Sequence, residues 1–167
     1  MESKTYFPEL LSRKSEKLTW ALFAISFVSL LLLRLHFGIL HIPAAIFVLL
    51  LFLAAGSISL GNWMDRHTSI VIDANGVSFS NGIRHAAFKW QEIDKIHVLE
   101  SHWGNRVQVL GKSAHFEFRT LGKVILNGDL KGQLGFKDGD VILQTLLEKS
   151  GLRNTSVSEK NVYYTRP

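Results

Sequence analysis

His97, Glu100 and His102 are the most metal-like group in this chain, two imidazoles and a carboxylate within six positions. A zinc site needs at least three such donors converging on one point. In extended backbone the side chains alternate, so Glu100 and His102 share one face and His97 takes the other. The helical His-Glu-x-x-His spacing is absent. No metal site is expected. His115, Glu117 and Arg119 alternate onto a single strand face, where a solvated polar surface accounts for them. Gly132, Gly135 and Gly139 invite comparison with a phosphate cradle. Neither a Gly-x-Gly-x-x-Gly nor a P-loop pattern is present, and they read as a glycine-punctuated loop that also holds Gly128. Serines and histidines occur in no recognisable nucleophile–base context. The chain has no cysteine, which removes thiolate nucleophiles, thiolate metal sites and disulfides together. The chain therefore reads as non-enzymatic, with no cofactor.

One charged group is left to explain. Hairpin counting sets Arg106 opposite Arg119, with Lys112 in the connecting loop. Like charges facing each other across two strands are mildly destabilising, so an anionic partner would relieve them. Glu117, diagonal to Arg106, offers internal relief instead. Arg106, Arg119 and Lys112 are the candidate partner- or anion-binding residues.

These residues sit in a region of period-two patterning that begins at Thr68. Ile70 and Ile72 alternate, Asp73-Ala74-Asn75-Gly76 makes a turn, and Val77 and Phe79 resume the alternation. Asn81-Gly82 reads as a two-residue hairpin turn, because both positions tolerate positive φ. Counting across it pairs Val77 with Ala86 and puts Ala86, Phe88 and Trp90 on the face of Phe79. A fourth strand covers 95–100. A second hairpin pairs Val107 with Phe118 and Val109 with Phe116 across the loop 111–114, leaving Gln108 opposite Glu117 on the other face. A seventh strand fits 123–127. Asp138 or Asp140 can cap a helix whose stripe is Val141, Ile142, Leu146 and Leu147, stopped at Gly151 with Leu152 following. The polar tail 154–167 is expected to be mobile. Seven antiparallel strands and one helix fit a small barrel with the helix closing an open end. Its core is Ile70, Ile72, Phe79, Trp90, Ile93, Val107, Val109, Phe116 and Phe118.

Ahead of this domain lie two apolar stretches, residues 18–35 and 42–60. Each is about 27–29 Å long as a helix, against a hydrocarbon core of about 30 Å. They predict a transmembrane hairpin at 18–61, after a segment 1–17 and before a domain at 67–153. Lys4, Arg13, Lys14 and Lys17 precede the first span, whereas the turn between spans holds only Arg34 with His36 and His41. The positive-inside rule then places both termini in the cytoplasm. Trp20 and Trp63 sit where interface anchors belong. No small-residue cleavage site follows the first stretch, so an anchor is expected rather than a signal peptide. Ala55, Ser57, Ser59 and Gly61 form two small-xxx-small pairs that suit close helix packing, either within the hairpin or against another protein. The net charge is +5. From His67 to Arg153, however, eleven Lys/Arg are interspersed with nine Asp/Glu, which is not the basic stripe of a nucleic-acid binder.

The stretch Ile70-Val71-Ile72-Asp73-Ala74-Asn75-Gly76-Val77, followed by Trp90-Gln91-Glu92-Ile93-Asp94-Lys95-Ile96, resembles bacterial pleckstrin-homology-like (PH-like) domains carried on a two-helix membrane hairpin. The likeness covers residues 15–153. It implies a multi-pass protein of the bacterial inner membrane whose domain binds rather than catalyses. The partner would be a membrane protein or a second copy, with an accessory or assembly role. A sensor of anionic lipid or of membrane state is the alternative. The first hairpin loop, Asp73-Ala74-Asn75-Gly76, is short and acidic, so it does not suit phosphoinositide headgroups.

Overall fold

The computed structural model describes residues 3–10, 12–38, 41–126, 129–158 and 161–166. The chain divides into two compact units, Ser12–Trp63 and Met1–Leu11 with Met64–Pro167.

The first unit is a pair of helices, α1 (Lys14–Phe37) and most of α2 (Ile42–His67). Helix α1 ends on Gly38, left-handed at φ 67°, whose N–H caps Arg34 O at 2.9 Å. Pro43 stands in the first turn of α2, where no intrahelical N–H is required. Hydroxyls inside the helices bond back one turn, Thr19 Oγ1 to Ser15 O and Ser57 Oγ to Leu53 O, each at 2.8 Å. Both helices are long and apolar enough to cross a membrane. Helix α2 runs on to His67, so the segment after the apolar stretch is helical rather than a linker.

The second unit is built from three sheets. A four-stranded sheet has the order β1 (Lys4–Tyr6), β3 (Thr68–Ile72), β4 (Gly76–Asn81), β5 (His85–Lys89). A five-stranded sheet runs β11 (Arg153–Ser158), β12 (Asn161–Thr165), β6 (Ile93–Leu99), β7 (Arg106–Gly111), β8 (His115–Arg119). A smaller one joins β2 (Pro8–Glu9), β10 (Asp129–Phe136) and β9 (Gly122–Leu126). All named pairings are antiparallel. These sheets do not close, which corrects the expected seven-stranded barrel. The two larger sheets pack face to face, and helix α3 (Gly139–Ser150) buries Ile142 and Leu146 in the shared core. The nine positions expected to point inward are all between 0 and 8% exposed.

The termini supply strands that the pattern did not reveal. The sequence pattern assigns no strand to segment 1–17, but β1 pairs with β3, Tyr6 opposite Ile70, and Tyr6 is buried. Residues 154–158 and 161–166 were expected to be mobile. Instead β11 and β12 form a hairpin, and β12 adds to β6 with Tyr163 opposite His97. Beyond it, Arg166 Nη2 reaches the carbonyls of Trp90, Gln91 and Ile93 around the 3-10 turn Trp90–Glu92. A guanidinium with several donors is well matched to a cluster of turn carbonyls.

The register of the first hairpin also differs from expectation. Val77 pairs with Phe88 and Phe79 with Ala86, a shift of two. Asn81 is the cause. Its side-chain Oδ1 accepts from Ile83 N and Arg84 N at 3.2 and 2.8 Å, and its own N–H bonds to Arg84 O. The Asx turn thereby spends two more residues than an Asn-Gly hairpin. Because the shift is even, every side chain keeps its face. Glycine-rich 132–136, expected as loop, is part of β10; Asn127 and Gly128 lie outside the described residues. Val141 is exposed rather than part of the α3 stripe, since Ile142 and Leu146 take the inward positions.

Candidate functional site

The β7–β8 hairpin sets the frame. Its observed register pairs Arg106 with Arg119, Gln108 with Glu117, and Val109 with Phe116. Arg106 does not await an outside anion. Its Nε donates to Glu117 Oε1, and Gln108 Nε2 donates to Glu117 Oε2 at 3.1 Å. Burial pushes the Glu117 carboxyl up. The hydrogen bonds from Arg106 and Gln108, with the charges of Arg106 and Arg119, outweigh that and hold it below the ordinary carboxylate value. The same hydrogen bond raises the Arg106 guanidinium. Lys112 is exposed in the closed loop at the far end of the hairpin. Six strand residues at about 3.3 Å each separate it from Arg106 by roughly 20 Å, so the expected trio does not assemble.

The row continues across two more strands, β6 and β12. Glu117 can only accept here, so the Gln108 amide must turn its NH2 toward Glu117 and its Oε1 toward His97. His97 Nδ1 lies 3.3 Å from Gln108 Oε1 and therefore carries the proton. With the proton on Nδ1, Nε2 accepts, so the Asn161 amide, placed with its Oδ1 3.1 Å away, must turn its NH2 toward the ring. The His97 ring stacks on Tyr163 at 4.2 Å, and Lys95 Nζ sits 4.4 Å from the Tyr163 centroid. This polar ladder fastens the C-terminal hairpin to the sheet. Glu117→Gln removes its only carboxylate. The pair is half exposed, so the expected loss is about 0.5–1 kcal/mol at pH 7. Because the folded carboxyl titrates low, that contribution is complete above the ordinary value of 4.5 and fades as pH falls below it. Urea unfolding at pH 7 and pH 3 should therefore separate variant from wild type only at pH 7.

Arg119 is different. Among the described residues it forms no ion pair, and it lines a cleft of about 300 Å³. The cleft's floor is apolar, with the buried rings of Phe79, Phe118 and Phe136. Glu9 of β2, Asp65 of α2 and Asn81 of β4 complete the polar lining with Glu117. Sequence reasoning found Arg119 but not the cleft, because Glu9 and Asp65 reach it from segments remote in the chain.

A glycine-lined node holds the cleft wall. Gly135 has φ 96°, and a Cβ there would collide with the carbonyl oxygens of Thr120 and Arg119. Gly104 and Gly139 also back onto Thr120, which is 4% exposed. Thr120 Oγ1 accepts from Asn105 N at 2.9 Å, and Thr120 N donates to Asn105 O at 2.9 Å. These glycines serve close backbone approach.

In the helix pair, the four small residues divide between two faces. Ala55 is fully buried, and Ser59 Oγ accepts from Trp20 Nε1 at 2.8 Å and donates to Glu16 Oε1 at 2.9 Å. Asn62 Nδ2 donates to the other Glu16 oxygen at 2.7 Å. That face belongs to the hairpin itself. Ser57 and Gly61 are exposed, and a Cβ on Gly61 would meet nothing within 4 Å. His97, Glu100 and His102 do not converge, and no metal-binding cluster exists among the described residues. No family profile, curated protein or solved structure matches the chain.

Proposed function

We propose that this protein is a membrane-anchored binding module, a transbilayer helical hairpin carrying a PH-like sheet domain on the cytoplasmic side of a bacterial inner membrane. It acts without catalysis, as an accessory or assembly subunit that holds a membrane-protein partner. One observation carries the reading. None of the apolar window of α1 and only 11% of that of α2 is buried, whereas helices of a water-soluble core would be mostly covered. Their exposed Leu, Ile, Val and Phe side chains need lipid or another apolar helix.

The division of the small residues supports a partner over simple self-packing. Ala55 and Ser59 already close the hairpin, which leaves Ser57 and Gly61 as a second, exposed small-residue face. Helices in lipid approach most closely along such a face. Gly61→Leu fills no internal space, so the hairpin should insert normally. Co-purification of the partner from gently solubilised membranes should fall at least fivefold. Unchanged recovery with Gly61→Leu would remove that face from the proposal.

A further inference from the structure

We infer that the Arg119 cleft binds a zwitterionic phosphoethanolamine group, an anionic phosphate beside a primary ammonium; this rests on the membrane-anchored reading. The charge inventory selects the ligand. Glu117 is ion-paired to Arg106 and also feels the Arg119 charge; the other charged groups of the lining are the Arg119 guanidinium, in no ion pair among the described residues, and the carboxylates of Glu9 and Asp65. A purely anionic headgroup would meet two carboxylates for one arginine. A purely cationic one would leave Arg119 with only its share of Glu117. A phosphate on Arg119 forms charge-assisted hydrogen bonds, while a primary ammonium supplies three N–H donors to the carboxylates. The apolar floor of Phe79, Phe118 and Phe136 suits the carbon chain attached to such a group. At about 300 Å³ the cleft is at the small end of ligand sites, sized for a headgroup rather than a whole lipid.

The same chemistry is also carried by soluble phosphoethanolamine, so both sources are tested.

The experiment uses the full chain in an uncharged detergent, titrated by calorimetry with dihexanoyl lipids bearing ethanolamine, choline or glycerol headgroups. The ethanolamine lipid should bind at least tenfold more tightly than the other two. Choline keeps the charge but cannot donate N–H bonds, and phosphatidylglycerol keeps only the phosphate. Arg119→Gln should weaken ethanolamine binding at least tenfold. Asp65→Asn should weaken it and narrow the preference over glycerol. Lys112→Gln, at the far end of the hairpin, should bind as wild type and shows that general charge loss is not the cause. Thermal unfolding of each variant confirms an intact domain, and Arg119→Lys is the milder substitute if Arg119→Gln does not fold. Competition by free phosphoethanolamine supports the site with a soluble source, and no competition supports it with a lipid source. Equal affinity for the three lipids, or unchanged binding in folded Arg119→Gln, overturns the inference. A protein that inserts into membranes but fails this test would leave the anchored reading standing.

Discussion

Phe116→Ala is expected to destabilise the sheet domain by about 3–5 kcal/mol, the usual range for truncating a buried phenylalanine. Phe116 is 3% exposed and stands where the two larger sheets meet. Its ring stacks on Phe79 of β4 at 5.2 Å, lies 5.9 Å from Phe88 of β5, and 6.3 Å from Phe118 on its own strand. Phe118 in turn meets Phe136 edge-on at 5.9 Å. The sheets do not close through backbone bonds along this line, so ring packing holds them together there. A typical domain has only about 5–15 kcal/mol to lose. Urea unfolding followed by tryptophan fluorescence measures the loss. Trp90 is a suitable reporter, buried and hydrogen-bonded to Ala74 O at 3.1 Å. A loss below about 1 kcal/mol, the range of an ordinary surface change, would contradict this packing.

Gly135→Ala attacks the same domain through its backbone. An alanine at φ 96° is strained by about 1–3 kcal/mol before any contact is considered. Its Cβ would also press on the carbonyls of Arg119 and Thr120, and crowding of this kind costs about 1–3 kcal/mol more. The two effects fall on the wall that presents Arg119 to the cleft. Loss of ethanolamine-lipid binding should therefore accompany the loss of stability, although no ligand-facing side chain has changed. By contrast, a Cβ at Gly61 meets nothing and alanine is the better helix former, so Gly61→Ala should cost nothing and gain about 0.5–1 kcal/mol. Thermal unfolding of the two variants in parallel measures the difference.

The legible parts of the fold were those with strong local pattern. The Val107–Phe118 hairpin is read to the residue because both its strands alternate cleanly and its loop is closed by Gly111 N to Ala114 O. The Asn81-Gly82 hairpin is misread by two because the side chain of Asn81, not the dipeptide's φ preference, sets the turn length. Strands β1, β2 and β11 carry little apolar alternation of their own. They form because edges of β3, β10 and β12 are there to pair with, and that information is not local. Strand β12 did have a signal in Val162-Tyr163-Tyr164-Thr165, a β-rich run whose partner, His97, lies far upstream. For the site, opposition of Arg106 and Arg119 followed from counting. Which arginine is paired, and that Glu9 and Asp65 line the same cleft as the other, depends on tertiary packing alone.

The proposed anchoring is decided by sidedness in intact cells. The chain has no cysteine, so a single introduced thiol is an unambiguous reporter. His41→Cys probes the segment between the helices, and Lys112→Cys probes the exposed loop of the β7–β8 hairpin. A membrane-impermeant maleimide should label the first without lysis and the second only after permeabilisation, with the chain retained in membranes through alkaline carbonate. Labelling of Lys112→Cys in unbroken cells, or release of the chain by carbonate, would contradict a transbilayer hairpin with its sheet domain on the inner side.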